Sequence, residues 1–189
     1  MLEELIQLDR NLFLFLNNLG TESWDGFWMF LTDKWSAVPL YVLLLWLSYR
    51  QLGLRKTLVL LISIALLITC TDQIANFFKY GVKRLRPCYD EEFAGMMRLV
   101  KSYCGGRFAF FSAHASNSFA IAGFFALLFW KQIRIMSSIL LVWALLVAYS
   151  RIYIGVHFPL DVIAGALVGL LFGWLFYTLF TFGVHKYSL

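Results

Sequence analysis

Charge is what this chain has least of. Asp, Glu, Lys and Arg make up 14% of its 189 residues, where soluble domains carry about 25%. That shortage excludes a disordered chain and a soluble nucleic-acid binder. Proline and cysteine are scarce as well, with three residues each. Three cysteines are too few for a disulfide scaffold, and Cys70, Cys88 and Cys104 lack metal-ligand spacing. The amino terminus, MLEELIQLDR, shows no basic stretch and no small-residue cleavage site, so no removable signal peptide is expected. No internal repeat or low-complexity tract is evident.

Apolar residues are abundant. They form 61% of the chain, aromatics alone 19%, and mean hydropathy is +0.73. A soluble fold of this size has too little interior for so many Phe, Leu and Trp side chains, whereas a bilayer accepts them. At about 20 residues per crossing the length allows five or six spans and little else. The expected fold is all-α: a polytopic transmembrane bundle of five to six spanning helices plus an N-terminal interfacial helix. It forms one domain, residues 1–189.

Within residues 1–22, Leu5, Leu8, Leu12, Phe15, Leu16 and Leu19 recur every three or four positions. Glu3, Glu4, Gln7, Arg10 and Asn11 fill the other face, with Asp9 out of place. This pattern suits an amphipathic helix in the membrane interface, or equally one packed on the bundle. From Trp24 to Tyr49 the pattern is ambiguous between one tilted helix and a short helix followed by a span. Clear spans run over Leu58–Phe78, Phe108–Trp130, Ile135–Tyr149 and Phe158–Val184. Only residues 79–107 read as a long loop. Gly165, Gly169 and Gly173 repeat every four residues, which permits close approach of a neighbouring helix.

Successive spans reverse direction. Lys79, Arg86, Ser112, His114, Arg151, His157 and Asp161 therefore collect at one membrane face. An ionisable group deep in a bilayer costs roughly 2.5–3.5 kcal/mol on insertion scales, so such groups are normally paired, hydrated or functional. Arg offers a planar fork for phosphate oxygens and Lys a point charge. Two histidines beside such a cradle can supply a nucleophile and a proton donor. Asp161, four residues after His157, is expected to share its helix face and orient the imidazole.

The spacing is K-x6-R-P from Lys79 to Pro87, S-x-H from Ser112 to His114, and S-R-x5-H-x3-D from Ser150 to Asp161. It resembles the type 2 phosphatidic acid phosphatase superfamily of metal-independent phosphatases. The middle motif departs from that family: Phe111-Ser112-Ala113-His114 stands where it has Pro-Ser-Gly-His. The resemblance implies that His157 attacks phosphorus to form a phosphohistidine, Asp161 holds its tautomer, and His114 protonates the leaving oxygen. It implies that Lys79, Arg86, Ser112, the Ala113 amide and Arg151 hold the phosphate, with no cofactor or metal. Candidate substrates are undecaprenyl diphosphate, phosphatidylglycerol phosphate, phosphatidate and a lipid A phosphate. The partners are thus a membrane lipid phosphate and the bilayer, not nucleic acid; the oligomeric state is not readable. The rival readings are an anionic-lipid transporter or flippase, and an inactive lipid-binding relative for which Ala113 speaks.

Lys83 and Arg84 fall inside the first motif but are not its fixed positions; they are expected to be interfacial anchors or lipid-headgroup contacts, and Arg98, Lys101 and Arg107 solvated loop charges or contacts to the substrate head. Asp72 is expected to pair with a neighbouring helix, and His185 to be solvated. Cys88 and Cys104 share the 79–107 loop; in an oxidising compartment they can form a disulfide bracing the mouth of the site. They can also be unrelated thiols. Arg50, Arg55, Lys56, Lys131, Arg134 and Lys186 fall at the opposite end, six of sixteen cations. A bare positive-inside count would put the site in the cytoplasm. Lys79, Arg86 and Arg151 are held by the chemistry, however, and the turns at Arg55–Lys56 and Lys131–Arg134 are short and basic, as cytoplasmic turns are. The resemblance implies a bacterial inner-membrane enzyme whose site faces the periplasm or outside.

Overall fold

The computed structural model describes residues 1–187; the last two residues of the expected domain lie outside the described residues. Six α-helices follow one another: α1 Leu2–Asn18, α2 Glu22–Thr32, α3 Val38–Val82, α4 Ala113–Phe129, α5 Arg134–Tyr153 and α6 Pro159–Lys186. A 3-10 turn over Lys34–Ala37 leads into α3. The ambiguous stretch is therefore a short helix, a turn and then the long α3.

Three apolar stretches have the length and composition to cross a membrane: Lys34–Val82, Arg134–Tyr153 and Pro159–Lys186. The first is broken at Gly53, where φ is 76° and ψ 174°. That left-handed backbone suits glycine, and it reverses the chain just before Arg55 and Lys56. Large apolar side chains such as Leu58, Ile62, Ile139, Leu145, Leu167 and Leu171 point outward. A surface like this is stable against acyl chains rather than water.

α4 is the central post. It is buried along most of its length, with Ala115, Ala120, Ala122 and Phe124 inside, and α3, α5 and α6 pack around it. α6 lies closest. A Cβ at Gly165 would sit 2.5 Å from the Ser112 carbonyl oxygen, at Gly169 2.2 Å from that of Ser116, and at Gly173 2.6 Å from that of Ala120. The glycine stripe thus sets the α4–α6 distance, as its spacing suggests.

The structure starts α4 at Ala113, later than the expected span from Phe108. Residues 108–111 are not helical and close the long loop instead. Arg86 N–H donates to the Arg107 carbonyl (3.1 Å) and Ala109 N–H to that of Arg84 (2.8 Å), around an antiparallel bridge between Leu85 and Phe108. Apolar composition alone could not separate this pairing from helix.

The face that α1 turns to the bundle is not its leucine stripe. Leu5, Leu8, Leu12, Phe15 and Leu19 are exposed. Asp9, Phe13 and Asn17, spaced by four, are buried against the bundle. Phe13 packs edge-on against Phe93 and Phe158, with ring centroids 5.6 and 5.3 Å apart.

Candidate active site

The first turn of α6 carries the centre of the site. Pro159 occupies the first helical position, where its missing N–H does no harm. Asp161 reaches back to the start of the helix: its Oδ2 accepts the Phe158 N–H at 2.9 Å. The same Oδ2 lies 3.6 Å from His157 Nδ1, and both side chains are buried. His157 precedes the helix, so the pair does not share a helix face as its four-residue spacing suggested; the capping turn brings the two together. His157 Nδ1 has no hydrogen-bond partner among the described residues. Nδ1 is thus the ring nitrogen directed at Asp161.

The cations approach from three segments. Arg151, at the end of α5, is buried; its Nη1 donates to Thr32 Oγ1, and its Nε has no partner among the described residues. A buried guanidinium donor left open is a ready seat for an anion oxygen. Arg86 is held by the loop it belongs to, Nη1 donating to the Cys104 carbonyl at 2.8 Å. Lys79 sits in the last turn of α3. Burial, then Arg151, Arg86, Lys79 and Arg84 in that order, hold His157 well below its ordinary value. Four cations therefore act on one imidazole, and it stays neutral at pH 7.

Ser112 caps α4, its hydroxyl accepting the Ala115 N–H at 3.4 Å. Its own N–H donates to the Asp161 carbonyl at 2.9 Å, tying the start of α4 to the start of α6. Ala113 is helical, and Lys83 is the only non-glycine residue with positive φ among those described. The family glycine's conformational freedom is thus not needed at Ala113. His114, one residue on, lies within electrostatic reach of His157. It faces a cavity of about 640 Å³ lined also by Met29, Thr32, Lys34, Lys101 and Tyr103.

Several residues differ from expectation. Arg84 is not an interfacial anchor: Nη1 donates to Asp161 Oδ1 at 2.9 Å, and Nη2 pairs with Asp9 Oδ2. Arg98 is not merely solvated, since it pairs with Asp25 at 2.9 Å. Lys101 borders the cavity beside His114, while Arg107 and His185 are exposed. Asp72 accepts from Asn117 Nδ2 at 2.9 Å, a neighbouring-helix contact as expected. Cys88 and Cys104 are joined, with Cα atoms 6.1 Å apart. Asp9, Asn17, Thr32 and Asp25 went unsingled in the sequence. The i, i+4, i+8 series Asp9, Phe13, Asn17 was the available signal for two of them. Asn17 is buried; its amide donates to the carbonyls of Arg98, Ile152 and Tyr153, and its oxygen accepts the Arg98 N–H.

Known proteins resemble this chain over most of its length. Residues 56–183 match the PAP2 superfamily. A lipid A 4'-phosphatase of Bacteroides thetaiotaomicron is 39% identical over 188 residues, covering 98% of this chain and 81% of that protein. A lipid A 4'-phosphatase of Porphyromonas gingivalis is 32% identical, covering 98% of this chain and 78% of that protein. The crystal structure of Aquifex aeolicus LpxE superposes with a TM-score of 0.67 at 27% identity, covering 90% of this chain and 95% of that one.

Proposed function

The chain belongs to the PAP2 superfamily, and from that premise we propose that this membrane lipid phosphatase removes the 4'-phosphate of lipid A through a phosphohistidine on His157. The observation that carries the chemistry is the buried His157–Asp161 pair set among Lys79, Arg84, Arg86 and Arg151. Two relatives that match nearly the whole chain and are named as lipid A 4'-phosphatases support the substrate.

In the proposed sequence, the Nε2 lone pair of His157 forms a bond to phosphorus as the P–O bond to the sugar breaks. Protonated His114 gives its proton to the departing oxygen. Water then attacks the phosphohistidine, the P–N bond breaks, and His114 takes up the water's proton as inorganic phosphate leaves. Lys79, Arg86, Ser112, the Ala113 amide and Arg151 hold the non-bridging oxygens. Such preorganised donors act most strongly where charge develops in the transition state. The helical geometry of Ala113 supports turnover over an inactive lipid-binding role.

We place the two limbs of α3, α4, α5 and α6 across the membrane, five crossings in all, with α1 in the interface. The first limb of α3 with the 3-10 turn before it reaches about 30 Å, enough for the hydrocarbon core. The site faces the periplasm from the inner membrane. The Cys88–Cys104 bond beside Arg86 supports this side, since disulfides persist in oxidising compartments.

The test uses full-length protein in detergent with lipid A bearing both the 1- and 4'-phosphates. Mass spectrometry reads which phosphate is lost, and an acid-labile phosphoprotein is trapped by quenching. The expected result is 4'-selective loss, with His157→Ala reducing turnover by about 10³-fold or more. Full turnover in His157→Ala would overturn the nucleophile. Loss of the 1-phosphate alone would overturn the substrate assignment.

A further inference from the structure

Asp161 has two oxygens with two employments. Oδ2 faces His157 and the Phe158 N–H. Oδ1 accepts from Arg84 Nη1 at 2.9 Å. Arg84 does not end there: its other nitrogen pairs with Asp9 of α1, and Asp9 Oδ1 accepts the Leu160 N–H at 2.8 Å. The guanidinium carbon lies 4.2 Å from the centre of the Phe158 ring, and that ring rests on Phe13 and Phe93. The Asp9 and Asp161 side chains are 1% and 0% exposed, and Arg84 is 21% exposed. Two buried carboxylates thus share one cation, and both also bond the backbone at the start of α6.

We propose that Arg84 and Asp9 are positioning residues: the guanidinium, braced by α1, fixes Asp161 so that its other oxygen addresses His157. The inference rests on the reading of His157 and Asp161 as the nucleophile and its orienting partner. It gives α1 a second task. The exposed leucines of α1 meet lipid, while its opposite face, through Asp9 and Phe13, holds the turn that carries the nucleophile. A planar fork is required, because Arg84 addresses two carboxylates on different helices at once. The charged groups around Asp161 are Arg84, Asp9, His157 and the phosphate-side cations Arg86, Arg151 and Lys79.

The two residues carry opposite charge, so their removal has opposite effects on a neighbouring carboxylate. Full-length variants Arg84→Gln, Arg84→Lys and Asp9→Asn are compared with wild type for phosphate release across pH 4.5–8, roughly the span in which carboxylates and imidazoles titrate in proteins. His157→Ala, Asp161→Asn and Arg10→Gln serve as controls. Arg84→Gln is expected to lower kcat by about 10–100-fold with KM within about twofold, the size seen when a supporting hydrogen bond to a reactive group is removed. Its acid limb in kcat/KM moves to higher pH, and Arg84→Lys falls between it and wild type. In Asp9→Asn the acid limb moves to lower pH, because Arg84 then serves Asp161 alone. Arg10, next to Asp9 on α1, pairs with Asp90 and Glu92 of the long loop and holds α1 without touching Asp161; Arg10→Gln keeps the wild-type pH profile.

A merely structural brace would lower the unfolding temperature without moving either limb, and that result overturns the proposal. If Arg84→Gln does not fold, Asp9→Asn decides: an unmoved acid limb overturns the inference. Should His157→Ala and Asp161→Asn keep full activity, it is the nucleophile assignment that fails, and the two failures are distinguishable.

Discussion

Gly169→Ala tests the close packing on which the site depends. The added methyl carbon would stand 2.2 Å from the Ser116 carbonyl oxygen, with Ala120 N and Phe119 Cβ each at 3.0 Å. Ordinary contacts begin near ~3.5 Å, so α4 and α6 must part by roughly 1 Å. Overpacking of this kind costs about 1–3 kcal/mol. Alanine recovers up to about 1 kcal/mol through its better helix propensity, which offsets part of that cost. The functional loss is larger. Ser112, Ala113 and His114 open α4, while Asp161, with His157 just ahead of it, opens α6. Misplacing groups of a reacting constellation by about 1 Å can cost on the order of 10²-fold in rate. The expected outcome is a lower unfolding temperature in detergent and kcat/KM for phosphate release reduced about 10–100-fold. Gly183→Ala lies on the same helix with nothing within 4 Å, and should match wild type in both assays. Wild-type turnover and stability in Gly169→Ala would refute the claim that the α4–α6 distance sets the catalytic geometry.

Two further outcomes follow from the site's electrostatics and its loop. Burial and four cations hold His157 below its ordinary value, so kcat/KM stays level as pH falls through about 6.5 and declines only below that. The stability sign agrees: a depressed histidine contributes fully above the unfolded value near 6.5 and loses that contribution as pH falls. Thermal unfolding of wild type against His157→Asn between pH 7.5 and 5 should therefore show a steeper acid loss in wild type; parallel curves would contradict the buried neutral imidazole. Reduction of Cys88–Cys104, or Cys88→Ser, releases a link 16 residues apart in sequence, worth about 3 kcal/mol by loop entropy. It also loosens the Cys104 carbonyl that holds Arg86, so KM should rise; an unchanged KM under reductant with the bond demonstrably broken would separate the loop from substrate binding.

The three motifs were legible because each part is local. Within K-x6-R-P, S-x-H and S-R-x5-H-x3-D, charge costs too much in lipid to be idle, and span reversal sends the groups to one face. The glycine stripe was legible for the same reason, since a four-residue period is a property of one helix. Asp72 was readable as an interhelical partner because a lone acid within a span needs one. Arg84 was not, because nothing in its neighbourhood distinguishes it from Lys83: one bridges two buried carboxylates and the other ends α3 in the left-handed region. Nor was the start of α4, since an apolar stretch can extend or coil until its partners are known.

The sequence alone determined that the chain lives in a bilayer, that it is helical, and that the groups proposed to bind and transfer phosphate gather at one end. Those properties depend on composition and on periods of a few residues. Only the tertiary structure decided that His157 lies outside its helix, that α1 turns an aspartate inward, and that Arg84 joins Asp9 and Asp161 across 75 and 77 residues. Such pairings depend on which side chains folding brings within a hydrogen bond's length, and no local pattern encodes that distance.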